Sequence, residues 1–227
     1  MNRPARTTTP ESPTFASPQV AVLLVIFTIA DGDLQALLIY RSAEPYRDHW
    51  AIPGGRLNPG EPLFDAAARK LVDETGMRDV FLEQLYTFGD LDDVTPGGAV
   101  AIAYFALVDR DRVHLADRAA WRPAWFSMRE LPELAFGNQQ VLDSALERLR
   151  NKLAYTNVAY SLLPERFTLS HLQRVYESIL GDTLDKRNFR KRMLSLGIIA
   201  ATGDRQAEGA GRPAQLYRFS SHKPVML

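Results

Sequence analysis

The sequence contains no cysteine. That excludes disulfides, a thiolate metal site and a cysteine nucleophile, and it suits a reducing cytoplasm. Long apolar runs are also missing. The longest, Val20 to Ala30, falls far short of the roughly 20 residues that a membrane-spanning helix needs. It runs into a charged turn, Asp31-Gly32-Asp33, and no cleavage site follows, so it reads as a buried strand and no membrane partner is expected. No internal repeat is present. The four histidines, His49, His114, His171 and His222, have no ligand-like spacing. Charge of one sign is lacking as well, since 27 Lys and Arg balance 27 Asp and Glu. The balance hides an asymmetry, because residues 161–227 carry 11 basic against 6 acidic side chains, leaving 16 against 21 for the rest. An acidic front and a basic back direct any nucleic acid to the back.

What is present suffices for a core. Of 227 residues, 46% are hydrophobic, enough for two small domains. Residues 1–18, rich in Pro, Thr and Ser, read as a disordered tail. Gln19–Ala30 and Leu34–Arg41 flank Asp31-Gly32-Asp33 as a hairpin. Trp50–Ile52, Asp79–Gly89, Ala99–Val108 and Ala119–Phe126 read as further strands, with a loop at Asp90–Gly98. Pro62–Thr75 and Asn138–Leu153 read as helices. The expected class is α+β, a sandwich with a mixed sheet over residues 19–155. A packed linker follows at 156–166, and a second domain at 167–222. Trp50, Trp121 and Trp125 are assigned to the core.

The stretch Trp50–Met77 organises the front. Pro53-Gly54-Gly55 is a bend where backbone can approach a ligand without a Cβ in the way. Asn58-Pro59-Gly60 is a turn, and Pro62 suits the first turn of a helix. Gly55, Glu61, Arg69, Leu71, Glu74, Gly76 and Met77 follow the spacing of the Nudix box, which this stretch resembles. In that family, carboxylates at the positions of 70, 73 and 74 share one helix face, where they can hold Mg2+. Here the first is Lys70 and the second Asp73, so an ammonium replaces an anion beside the metal position. Lys70 is placed to pair with Asp73 and Glu74. The box reads as kept for shape and broken for chemistry. No catalytic residue is assigned and no metal is required, Asp73 and Glu74 being the only remaining ligand candidates.

In the back half, Leu169, Leu172, Tyr176, Ile179 and Leu180 share a helical face behind a Thr168 cap. After a short turn, Asp185 caps a second helix in which five of seven residues from Lys186 to Arg192 are cationic. A strand, a glycine-rich tip (Thr202–Pro213) and a strand at Ala214–Phe219 complete a winged helix-turn-helix pattern. The DNA-contacting set is Thr168, Lys186, Arg187, Asn188, Arg190, Lys191, Arg192, Arg205 and Arg212. Arg and Asn suit base edges, Lys suits phosphate, and a wing arginine suits the backbone or a minor groove.

Four stretches together resemble the NrtR family of Nudix-related regulators of NAD metabolism. They are Trp50–Gly55 with the degenerate box, Leu85–Asp90 with Val100–Val108, Leu184–Leu194, and Gly211–Phe219. The resemblance implies a Nudix α/β/α sandwich and a winged helix-turn-helix domain in a homodimeric repressor. Its partners would be double-stranded DNA with a palindromic operator and a nucleotide effector, ADP-ribose, which releases the DNA. Arg41, Arg47, Gly54, Gly55, Arg56, Glu61, Arg69 and Glu74 are the effector-site set, with Glu61 and Arg69 expected to brace loop against helix. Two rivals are a Mg2+-dependent diphosphatase using Glu61, Asp73 and Glu74, and a paralogous regulator sensing a sugar-related compound.

Overall fold

In the computed structural model the described residues are 19–89, 91, 99–115, 121–207 and 213–226. The expected tail (1–18), most of the Asp90–Gly98 loop and residues 208–212 of the wing tip lie outside them.

The first unit is a seven-stranded mixed sheet. Strands β1 (Gln19–Ala30) and β2 (Asp33–Arg41) form the expected hairpin, turned by Asp31 and Gly32, both at positive φ (52° and 74°). Two residues of that kind favour a turn whose twist matches the flanking strands. β3 (Trp50–Ala51) and β4 (Gly54–Arg56) come next, then helix α1 (Leu63–Thr75). β5 (Phe81–Phe88), β6 (Ala99–Leu107) and β7 (Trp121–Ser127) complete the sheet, and helix α2 (Asn138–Tyr155) closes the unit. β6 lies parallel to β1 and antiparallel to β5, while β7 flanks β2.

Strand ends shift by a residue or two from the sequence reading, and two differences have a clear cause. β5 starts at Phe81 rather than Asp79, because Asp79 sits at φ 55°, outside extended space. The Gly-Gly bend is a short strand, with Gly54 to Arg56 pairing Leu23 to Ala21.

Alternation along the strands builds two cores. Val22, Leu24 and Ile26 of β1 and Tyr104 and Ala106 of β6 meet Ala66, Ala67 and Leu71 of α1. Their neighbours Val25, Phe27, Ala103, Phe105 and Leu107 meet Val141, Leu142, Ala145 and Leu149 of α2. The second core does not stop at the end of α2. It runs through a buried 3-10 turn, Val158–Leu162, into the back half.

There, β8 (Phe167–Thr168) leads into α3 (Leu169–Leu180), α4 (Lys186–Ser195), β9 (Ile199–Gln206) and β10 (Ala214–Phe219). β8 pairs with β10 and gives the wing a third strand that the sequence pattern did not reveal. β9 extends five residues beyond Ala201, into what read as the polar wing tip. It is mostly exposed, so hydropathy carries no signal of it; the ladder with β10 makes it a strand. No helix among the described residues is long and apolar enough to cross a membrane.

Candidate functional site: a box cavity and a basic helix

The box loop and α1 hold their charges against one another. Arg69 grips Glu61 with two parallel hydrogen bonds, Nε to Oε1 at 2.7 Å and Nη2 to Oε2 at 2.9 Å. The Asn58 backbone N–H donates to the same carboxylate at 3.2 Å. Hydrogen bonds from Arg69 chiefly, with help from Asn58, pull the Glu61 pKa down to about 2. This bidentate fork ties the turn before α1 to its second turn, which is the bracing role expected for the pair. Arg69 also approaches Asp73 at 3.8 Å.

The two box glycines serve internal packing as well as bordering a cavity. A Cβ on Gly54 would stand 2.7 Å from Leu23 Cδ2 and 2.9 Å from the Val22 carbonyl oxygen. Only glycine allows β4 to lie this close to β1. A Cβ on Gly55 would meet Lys70, at 3.0 Å from Cε and 3.2 Å from Nζ. The ammonium of Lys70 therefore reaches back across the loop to Gly55. Glu74, one turn further along the same helix face, is 1% exposed.

A hard-oxygen Mg2+ site does not fit this arrangement. Its positions are occupied by an ammonium at Lys70 and by a carboxylate, Asp73, already approached by a guanidinium. Among the described residues no group of three or more His, Cys, Asp or Glu could hold a metal ion.

Beside the bend lies a cavity of about 340 Å³, within the size range of small-ligand pockets. It brings together four of the eight predicted effector residues: Arg41, Gly54, Gly55 and Arg56. Arg41 is the most tightly positioned. Its Nε and Nη2 donate to the Pro45 carbonyl at 3.1 and 2.8 Å, and its guanidinium lies 4.5 Å over the Phe136 ring. Burial lowers the pKa of Arg41, opposed by the nearby charge of Glu44. The other four do not line this cavity. Arg47 is exposed beside Glu44 at 3.4 Å, Glu61 and Arg69 are spent on each other, and Glu74 is buried under α1.

Two wall residues were missed. Phe136 is held at φ 55°, an uncommon conformation for a bulky side chain, and it packs on Tyr46 at 4.6 Å. Asn138 is 1% exposed, and its Oδ1 accepts from the Ile52 N–H at 2.8 Å. Both precede or begin α2, far from the box in sequence. The Phe-Gly-Asn run before a helix reads as ordinary turn chemistry and gave no cue.

The basic helix is arranged in the opposite way. Phe189 and Met193 point into the core, with Phe189 against Tyr176 at 5.2 Å. Burial pushes the Tyr176 phenol up to about 12, with the charge of Arg192 opposing. The Asp185 side chain accepts from the Asn188 N–H and caps the helix, as expected. Lys186, Arg187, Asn188, Arg190, Lys191 and Arg192 are all exposed. Arg192 nevertheless turns toward the first unit, with Nη2 donating to the Ala154 carbonyl at 3.3 Å. Thr168 is 2% exposed, its hydroxyl capping α3 by accepting from the His171 N–H at 3.1 Å. Thr168 is thus buried away from the α4 face, and Arg192, though exposed, is engaged with the first unit. Arg205 is exposed on β9, and Arg212 lies outside the described residues.

The two units are stitched together. Arg150 Nε donates to the Ile179 carbonyl at 2.9 Å, and the Ser178 hydroxyl donates to the Gly32 carbonyl at 2.8 Å. The Phe81 N–H donates to the Ser161 hydroxyl at 3.1 Å. Asn157 receives the Val225 N–H at 2.7 Å and donates to the Ser221 and Lys223 carbonyls at 3.1 and 3.2 Å.

Comparison with known proteins agrees with this division. Residues 17–146 match the NUDIX domain, and residues 159–219 match the NrtR DNA-binding winged helix domain. The ADPR responsive transcriptional repressor NtrR of Acinetobacter baylyi is 38% identical over 210 residues, which is 91% of this chain and 84% of that protein. The crystal structure of Shewanella oneidensis NrtR complexed with a 27mer DNA is 33% identical with a TM-score of 0.79, covering 88% of this chain and 93% of that one. The NUDIX domain of the same Shewanella protein complexed with ADP ribose is 30% identical with a TM-score of 0.53, covering 63% of this chain and 94% of that one. With a Nudix fold whose box is occupied by its own lysine and a winged helix that turns its cations outward, this chain belongs to the NrtR family of Nudix-related transcriptional regulators.

Proposed function

We propose that the protein is a repressor that binds duplex DNA through α4 and the wing and lets go when ADP-ribose fills the box cavity. In this reading residues 19–155 are the effector unit, 167–222 the DNA unit and 156–166 the joint between them. The observation that carries it is the face of α4. Arg187, Asn188 and Lys191 stand exposed while Phe189 and Met193 are buried, an arrangement suited to the major groove. A homodimer would present two such helices to a palindromic operator, roughly 34 Å apart. Genes of NAD synthesis are the targets implied by the resemblance, and the cytoplasm is the compartment in which such DNA lies.

On the effector side, the Arg41 and Arg56 guanidinium groups are the cations that a diphosphate requires. Lys70 supports a catalytically silent box, because its ammonium sits where a carboxylate would hold Mg2+. The ligand needs differential affinity for two domain arrangements in order to release DNA. The stitches at Arg150, Arg192, Asn157 and Ser178 are the contacts that such a shift must break or remake.

The test is a gel shift with DNA from upstream of the protein's own gene and neighbouring promoters, with and without ADP-ribose. Specific binding abolished by ADP-ribose is the expected result. Specific binding indifferent to ADP-ribose would sink the effector assignment. Absence of specific binding, together with Mg2+-dependent phosphate release from ADP-ribose, would sink the repressor.

A further inference from the structure

Between the start of α3, helix α4 and the β9–β10 ribbon lies a second cleft, of about 400 Å³. Arg190 lines it from α4 and Arg205 from β9. Among the described residues no carboxylate lines it. Asp204, the acid next to Arg205 in sequence, is drawn off by Arg166 at 2.9 Å. Thr168, which also lines the cleft, has its hydroxyl committed to capping α3.

The wall that carries Arg205 is braced. Gln215 donates from Nε2 to the Asp204 and Leu216 carbonyls, both at 3.0 Å, where the β9–β10 register shifts. A bulge of this kind re-aims a strand's side chains. Two guanidinium groups on separate elements repel each other across such a cleft until an anion lies between them, and each carries a planar fork that matches phosphate.

The position of Arg190 on α4 gives the same answer. Residues 187 and 191 are one turn apart and lie opposite the buried Phe189–Met193 stripe. Residue 190 sits about a quarter turn to the side of that stripe, toward the wing, and Arg192 on the other side reaches Ala154.

We infer that Arg190 and Arg205 clamp one backbone phosphate of the bound duplex, leaving base reading on α4 to Arg187, Asn188 and Lys191. This rests on the proposed DNA-binding function and deepens it. The clamp contributes affinity without sequence information, and it sets the register of α4 in the groove.

The experiment measures affinity against salt concentration for the full chain, on operator and on random duplex. It uses Arg190→Ala, Arg205→Ala, the double variant and Arg187→Ala. Arg190 and Arg205 are exposed, so unchanged melting temperatures serve as the folding control. Because both arginines serve one phosphate, the double variant should lower the slope of log affinity against log salt by about one, equally on both duplexes. The two losses should be less than additive. Arg187→Ala should weaken the operator alone. An unchanged slope in the double variant would overturn the clamp. So would an Arg190→Ala loss confined to the operator, which would make that residue a base reader. Wild-type chain that treats operator and random DNA alike would overturn the repressor reading instead, and the slopes on random duplex would still decide the clamp.

Discussion

Helices α1 and α4 are both short, charged and one-sided, yet they use their charge in opposite ways. On α1, Arg69 is locked to Glu61, Asp73 is approached by Arg69, Lys70 is folded back on Gly55 and Glu74 is buried. On α4, Lys186, Arg187, Asn188, Arg190 and Lys191 are exposed, and of the helix's cations Arg192 reaches back to the first unit. Charge satisfied inside an element holds shape. Charge left facing solvent on a well-capped helix is available to a partner. Metal-assisted hydrolysis needs carboxylates free to hold a cation, and the engagement of Arg69, Lys70 and Asp73 on α1 is what the proposed silent box rests on.

The largest expected way to break the comparison is Lys70→Glu. It would set a third carboxylate on the face that carries Asp73 and the buried Glu74, with no cation in place of the ammonium. An uncompensated buried charge costs on the order of 3 kcal/mol. The melting temperature should fall markedly, and millimolar Mg2+ should restore much of the loss, since the variant then offers hard oxygen ligands on one face. An unchanged melting temperature, insensitive to Mg2+, would show that Lys70 is not holding the box together.

Next comes Arg187→Ala on α4, which should cost about 1–3 kcal/mol of operator affinity and leave both the melting temperature and the binding of random DNA unchanged. Equal weakening on both duplexes would reduce Arg187 to a phosphate contact. On α1 the corresponding change, Arg69→Ala, should do the reverse, lowering stability without touching operator affinity at saturating folded protein.

A smaller effect follows from acid. The Glu61 pKa is depressed from the usual carboxylate value near 4.5 to about 2 by Arg69 and Asn58. A lowered folded-state value means that this contribution to stability is fully present above the unfolded pKa and is lost as pH falls from about 4.5 through about 2. In urea unfolding across that window, Glu61→Gln should flatten the pH dependence relative to the parent. Parallel curves would remove Glu61 from the acid response.

The smallest effect is expected at Tyr176→Phe. The Tyr176 hydroxyl is buried and has no hydrogen-bond partner among the described residues, so removing it should be neutral or slightly stabilising. A loss above about 1 kcal/mol would mean that the hydroxyl has a partner in solution.

Local chemistry was legible wherever a few adjacent residues decide it. The Asp31-Gly32 turn, Gly76 ending α1 at φ 69°, the Asp185 cap and the Phe189–Met193 stripe all follow from short-range rules. The departure at Lys70 was equally visible, because it is a change of charge at a fixed spacing. The cavity was only half legible. Arg41, Gly54, Gly55 and Arg56 lie near one another in the chain, whereas Phe136 and Asn138 reach it through the return of the chain before α2. A strained Phe136 and an Asn138 bonded to Ile52 are products of that return.

The sequence by itself therefore determined the periodic elements, the capped basic helix and the loss of an acidic ligand set, since each depends on neighbours within a turn or two. Tertiary structure alone decided which charges are spent and which remain exposed. Whether Gly55 makes room for a ligand or for Lys70, and whether an α4 arginine faces the groove, the wing or Ala154, depends on which element packs against it. That contact is set by the closure of the whole sheet and the shared core, and no local pattern records it.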